Sequence, residues 1–304
     1  IEDKLDYDLD TSLLAYDKSN DVLFFHEVDN PLSINSLKKV RSYCEKTFGK
    51  SPDISTVTCG AASEWPQCFP QLDRKKSKDE FLDKSLEEFS KKVGVVGSKY
   101  VVPGGGRYVI SGRYAGLNNF LAIPTIAQMR KHLPKGIEIL DIEGGGQIEL
   151  SKNAVKVLNS IIDTPNSDKI LQLKNNPYEF DFCDQPLDDK QYSIAASNWM
   201  KTLSKISLEP ECSISFHLYD KIEIDIKGNP VNVNEGGGKR ILNLLEKNNK
   251  KAHVEIHLEE KALSAVLNQN LILKQVMSGS LTIQYRRPNV FYPSTMFALA
   301  FFGS

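Results

Sequence analysis

Hydrophobic positions along the first half of the chain alternate between short blocks and helical spacing. TSLLAY (11–16) and DVLFFHEV (21–28) are apolar blocks separated by the turn-forming DKSN, which predicts a hairpin of short buried strands. In SINSLKKVRSYCEKTFG (33–49) apolar residues recur at helical intervals, Ser33 stands at the N-cap and Gly49 closes the segment. ISTVTCG (54–60) reads as a strand running into a glycine turn. SKDEFLDKSLEEFSKKV (77–93) returns to helix, with Ser77 and Glu80 at capping-box spacing. KYVVP (99–103) is a short buried strand that ends on Gly104-Gly105-Gly106. A loop-rich stretch, RYVISGRYAGLNNF, leads to a helix near 124–132, a strand over IEILDI (137–142), a glycine triplet at 144–146, the strand QIEL and a helix from Ser151 to about 162. This alternation predicts an α/β domain over 1–162 whose loops carry the chemistry.

The pattern changes after 163. Residues 163–189 are rich in Asp, Asn and Pro and predict a linker. Over 190–304 the spacing predicts a helix at 190–205, then strands CSISFHLY (212–219), KIEIDIKG (221–228) and PVNVN (230–234), and a helix at 239–248. A strand AHVEIHLE (252–259), a helix at 263–279, a strand LTIQYRRP (281–288) and a last helix at 294–302 follow. Such a series predicts a smaller α+β module with an antiparallel sheet. In AHVEIHLE, alternation sets Val254, Ile256 and Leu258 on one face, with His253, Glu255 and His257 on the other, read as an exposed ladder.

Composition is that of an ordinary globular protein, with 40% hydrophobic and 25% charged residues in 304. A net charge of −1 gives no footprint for nucleic acid or an anionic membrane. No apolar run approaches the roughly 20 residues of a membrane span. The opening IEDKLDYDLD is acidic, without a signal-peptide pattern or initiator Met, so part of the natural protein is expected upstream. Five widely spaced cysteines (44, 59, 68, 183 and 212) include no CxxC pair, which predicts buried free thiols in a reducing, cytoplasmic setting.

Local motifs exclude several chemistries. The triplets PGGGRY, EGGGQI and EGGGKR match neither the Walker A pattern nor the dinucleotide fingerprint. No G-x-S-x-G elbow, HExxH or HxH occurs. The triplet at 104–106 ends a buried strand, where α/β enzymes place ligands. DYDLD (6–10) offers three aspartates, as ligands or as turn residues, with His26 the histidine nearest to them in sequence.

Read in order, several segments resemble the metallo-β-lactamase superfamily, and more narrowly its CMP-N-acetylneuraminate hydroxylase-like branch. DLDTSLLAYDKSNDVLFFHEVDN (8–30) resembles the segment in which an aspartate bridges two metals. CGAASEWPQCF (59–69) resembles a Gly-Ala-Ser-x-aromatic-Pro loop of that branch. KYVVPGGG (99–106) is similar to a strand and turn that in relatives ends on a metal-binding histidine, and IEILDIEGGGQIEL (137–150) to the closing strand–glycine–strand pair. LILKQVMSGSLTIQYRRPNVFYPSTMFALAFF (271–302) is similar to the tail of the same branch and to sterol-carrier-like lipid-binding modules.

The resemblance implies the C-terminal half of an αββα sandwich followed by a sterol-carrier-like module. It implies a metal-dependent hydrolase or oxygenase acting on a small polar metabolite, such as one linked to a sugar or nucleotide, with zinc or iron as cofactor. Asp10 is then the metal-bridging ligand, Asp29 the acid of a later turn, and Asp6 and Asp8 turn residues. Ser63, Trp65, Gly104, Gly105, Arg107 and Arg113 wall the substrate pocket, the arginines facing an anionic group. Two departures stand out. The superfamily's His-x-His-x-Asp-His signature belongs upstream of Asp10, and glycine replaces the histidine after Val102-Pro103, which implies a depleted second metal site. No Rieske-type Cys/His pairs occur. A second reading follows from these departures. The chain is then a binding or assembly protein whose histidine ligands come from a second chain or an upstream segment. Its C-terminal module takes an apolar ligand or partner, with Arg286 and Arg287 at the rim.

Overall fold

The computed structural model describes residues 12–27, 32–59, 73–105, 110, 112–142, 146–151, 154–158, 186–232, 240–246, 251–278, 282–288 and 290–303. It is a mixed α/β structure in two compact units. Ile1–Ser63, Lys75–Tyr108 and Ala122–Asn166 form the first, and Glu64–Arg74, Val109–Leu121 and Ser167–Ser304 the second.

The first unit holds a five-stranded sheet in sequential order: β1 (Leu13–Asp17), β2 (Val22–His26), β3 (Ile54–Thr58), β4 (Tyr100–Gly104) and β5 (Glu138–Ile139). β1 and β2 form the expected antiparallel hairpin, and β2 through β5 run parallel. Parallel neighbours need long crossovers. α1 (Ile34–Phe48) follows β2, α2 (Arg74–Val96) follows β3, and α3 (Ile126–His132) precedes β5.

Register shows that all three helices lie on one face. Phe25, Ser55 and Val101 are aligned neighbours, and Val57 is two residues beyond Ser55. Phe25 packs with Leu37 of α1, while Val57 and Val101 pack with Leu86, Phe89 and Val93 of α2 and Met129 of α3. The opposite face carries Phe24, His26, Thr56, Tyr100 and Val102, all half-buried. At the carboxyl end of β2, Glu27 is fully buried and ion-paired with buried Lys92 of α2 at 3.3 Å. Glu27 Oε1 also accepts the Thr58 N–H at 3.2 Å.

Caps agree with the sequence at α1. Ser33 accepts the Ser36 N–H, and Gly49 takes a left-handed φ of 74° while its N–H bonds Glu45. A Cβ at Gly49 would meet nothing within 4 Å. Gly49→Ala therefore carries only left-handed strain, and a loss of about 1–2 kcal/mol in denaturant unfolding is expected. At α2 the reading from spacing fails. The helix starts at Arg74, three residues before Ser77, which is buried inside it and caps nothing.

Residues 151–162 were expected as helix, yet β6 (Gln147–Ser151) and β7 (Ala154–Leu158) form an antiparallel hairpin. Val155 and Val157 face Leu150 and Ile148 across it, a pairing that suits β-branched residues.

In the second unit, α4 (Asp189–Lys205) precedes a four-stranded sheet of order β11-β8-β12-β13. These strands are β8 (Ser213–Tyr219), β11 (Arg240–Leu245), β12 (His253–Glu259) and β13 (Ile283–Arg287). The sheet is mixed, not antiparallel as expected: the central pair β8–β12 is parallel. β9 (Ile222–Ile224) and β10 (Pro230–Asn232) make a small hairpin, and Gly112–Phe120 is a 3₁₀ helix. α5 (Glu260–Leu267) and α6 (Leu273–Ser278) replace the single expected helix. α7 (Pro293–Leu299) ends the fold.

Residues 239–248 were expected as a helix opening on the glycine triplet, yet Arg240–Leu245 form β11, in which Ile241, Leu242, Leu244 and Leu245 happen to sit at helical intervals. A register shift between Asn243 and Leu245 explains the pattern, since a bulge breaks the two-residue alternation of a strand. The core lies on one face of this sheet. Ile214, Phe216 and Leu218 of β8 and Val254, Ile256 and Leu258 of β12 pack against Trp199, Leu263, Val266 and Phe302. The other face is polar, and it holds the site.

Candidate metal centre

β8 and β12 alternate in step, so their polar side chains share one face. Ser213, Ser215, His217 and Tyr219 align with His253, Glu255, His257 and Glu259. Polar residues opposite an apolar core normally face water. Here His217 is 8% exposed and His257 3%, which corrects the reading of an exposed ladder. One end of the face is closed. Tyr219 is buried there, and Glu259 accepts the Ile222 N–H of β9 at 3.0 Å. The other end opens into a cleft of about 530 Å³, lined by Ser213, Ser215, His217, His253, Glu255 and, from β11 and the residue after it, Ile241, Asn243, Leu245 and Glu246.

His217, His253 and Glu255 each bring one ligand atom to this cleft, all within 4.8 Å of one another. Among the described residues this is the one cluster of its kind. Zinc–nitrogen bonds are about 2.0–2.1 Å and zinc sites are tetrahedral, so donors on one ion stand about 3.4 Å apart, and these side chains would draw together on binding one. Two imidazoles and a carboxylate form a donor set known for zinc and for iron(II).

Hydrogen bonds set the charge state of the cluster. Glu255 Oε2 accepts from His257 Nε2 at 3.3 Å, and Oε1 accepts from Arg287 Nε at 3.0 Å. These contacts, the histidine first, hold the Glu255 carboxyl at about 2 despite burial. It stays anionic at any ordinary pH. Tyr219 bonds His257 Nδ1 at 2.8 Å, and burial pushes its phenol up to about 12, so it remains a protonated donor. The His257 ring lies between those of His217 and Tyr285, with centroids 4.5 and 4.8 Å away.

A nucleophilic serine is the competing chemistry. Ser215 Oγ lies 3.0 Å from both His217 Nε2 and His253 Nε2. A triad requires an acid on the far nitrogen of the base. His253 Nδ1 instead meets the Ser213 hydroxyl at 2.7 Å. With His253 as the base, the arrangement suits a cation better than an acyl enzyme.

Asp10, Asp29, Ser63, Trp65 and Arg107 lie outside the described residues, and of Arg113 only the backbone is described, within the 3₁₀ helix. Gly104 ends β4 opposite Thr58, and Gly105 has a left-handed φ of 67°. Arg286 is buried on the core face, against the Phe291 ring, so it is not the exposed rim residue the sequence suggested. Arg287 is exposed and orients Glu255. The three described cysteines, Cys44, Cys59 and Cys212, are buried thiols outside any disulfide. Among the described residues no helix is long and apolar enough to cross a membrane.

Sequence reasoning passed over the triad, although a signal was present. The polar sides of SISFHLY and HVEIHLE hold Ser, His, Glu and Tyr but no Lys or Arg. Lysine is among the residue types most often exposed, so its absence marks a face that need not meet water. Comparison with protein-family models, curated proteins and solved structures returned no match.

Proposed function

We propose that this protein is a metal-dependent hydrolase or oxygenase acting on a small polar metabolite, with its ion held by His217, His253 and Glu255. The observation that carries this reading is the convergence of two imidazoles and a pre-ionised carboxylate in an open cleft. Three protein donors leave coordination positions for water or substrate; a bound zinc ion lowers the pKa of water, and bound iron(II) supports oxygen chemistry. The chain's own groups have distinct tasks. Glu255 supplies negative charge without needing to lose a proton on binding. Asn243 and Ser215 offer hydrogen bonds to a polar substrate, while Ile241 and Leu245 give an apolar wall that limits water.

The metallo-β-lactamase-like reading of the first unit stays part of this proposal. A largely parallel sheet with helices on one face, a half-buried opposite face and a glycine turn ending β4 are compatible with half of such a sandwich. Asp10, Ser63, Trp65, Gly104, Gly105, Arg107 and Arg113 keep the roles the resemblance implies, in a separate, depleted centre that holds its ion less tightly than His217, His253 and Glu255 do.

Metal analysis of the purified chain after zinc or anaerobic iron(II) loading separates the possibilities. One tightly held equivalent is expected, retained in Asp10→Ala and lost in Glu255→Ala. Loss in Asp10→Ala with retention in Glu255→Ala would move the ion to the first unit. No retained equivalent with either metal would sink the enzyme reading.

A further inference from the structure

Two hydrogen-bonded arms reach the cluster, one through His253 and one through Glu255. On the first, Ser213 and His253 are register partners across the parallel β8–β12 pair. Ser213 Oγ donates to the Ala252 carbonyl at 3.1 Å and lies 2.7 Å from His253 Nδ1. A hydroxyl has one proton to give. With that proton on Ala252, Ser213 accepts from Nδ1–H, and neutral His253 keeps its lone pair on Nε2. That nitrogen faces Ser215 Oγ in the cleft, at 3.0 Å.

On the second arm, the Glu255 carboxylate can only accept, so His257 donates to it through Nε2–H at 3.3 Å. His257 Nδ1 then accepts from the Tyr219 hydroxyl at 2.8 Å. Both arms thus end on a donor atom of the cluster, with the far side of each imidazole already satisfied.

We propose that Ser213 and Tyr219 are positioning residues of the metal centre: Ser213 fixes His253 as the Nδ1–H tautomer, and Tyr219, through His257, fixes the Glu255 carboxylate. Such outer partners set the tautomer and orientation of a ligand before the ion arrives. The purpose of the arms rests on the metal reading above, whereas the tautomer is a property of the metal-free chain.

The test is nitrogen-15 NMR of the histidine side chains in the full, metal-free chain at mildly alkaline pH, together with zinc affinity by chelator competition. His253 is expected to carry its proton on Nδ1. Ser213→Ala should shift that tautomer balance and weaken zinc binding by about 10- to 100-fold, and Ser213→Thr should restore both. Tyr219→Phe should weaken zinc binding to a similar degree and leave the His253 tautomer unchanged. An Nε2–H tautomer in the wild type, or unchanged tautomer and affinity in Ser213→Ala, overturns the proposal for Ser213. Unchanged affinity in Tyr219→Phe overturns it for Tyr219. Absence of zinc binding in the wild type, with the tautomer as assigned, overturns the metal reading and leaves the tautomer assignment standing.

Discussion

A His253→Ala protein is expected to lose the proposed metal binding while keeping its fold. Loss of an outer partner weakens metal sites by about 10- to 100-fold, so removal of one of three donors should exceed about 100-fold. Dialysis against a weak chelator should strip the variant under conditions that leave the wild type loaded. The fold should survive because His253 is half-buried at the open end of the polar face, while Val254 and Ile256 carry the packing of β12. Ser213 and Ser215, which bond its ring, can turn to water in the cleft instead. His132→Ala is the matched control, since that exposed histidine ends α3 in the first unit. Zinc affinity in His253→Ala equal to the wild type would remove this residue from the site.

Lys92→Met should produce the largest loss of stability, and the loss should depend on pH. Lys92 is the cation paired with fully buried Glu27, and breaking one side of such a pair costs about 3–5 kcal/mol. Burial already holds the Glu27 carboxyl above its ordinary range, with Lys92 opposing that shift. Without the lysine the shift grows. Above the unfolded pKa of about 4.3, the folded variant then binds more protons than the unfolded chain, so its stability falls as pH rises toward the raised folded pKa. Below about 4.3 both states are protonated and that part of the loss is absent. Urea unfolding of wild type and variant between mildly acidic and neutral pH reads the effect directly. A stability difference that does not change across that range would show that Glu27 does not titrate in the folded variant.

Elements held together by their own spacing were legible in the sequence. Ser33, Gly49 and the apolar positions between them define α1 without help from elsewhere, and the blocks around DKSN define the first hairpin. Misreadings arose where a partner strand decides. Val155 and Val157 are compatible with helix until β6 lies beside them, and the β11 bulge gives a strand the spacing of a helix. The site was hidden for the same reason. His217 and His253 belong to separate strands, and nothing local states that β8 and β12 run parallel and in step. Their alternation was visible, but the burial of their polar sides was not, because it depends on what closes one end of that face.

That parallel pairing would give a bound ion a thermodynamic role apart from any reaction. Ser213 and His253, register partners in the folded sheet, are 40 residues apart in sequence. In the unfolded chain His217 stands far from His253 and Glu255, so an ion that binds all three selects the folded sheet. At a free metal concentration of about 100 times Kd, such selective binding adds about 2.7 kcal/mol to folding. The supply of metal would then govern how long the C-terminal unit persists as a folded body.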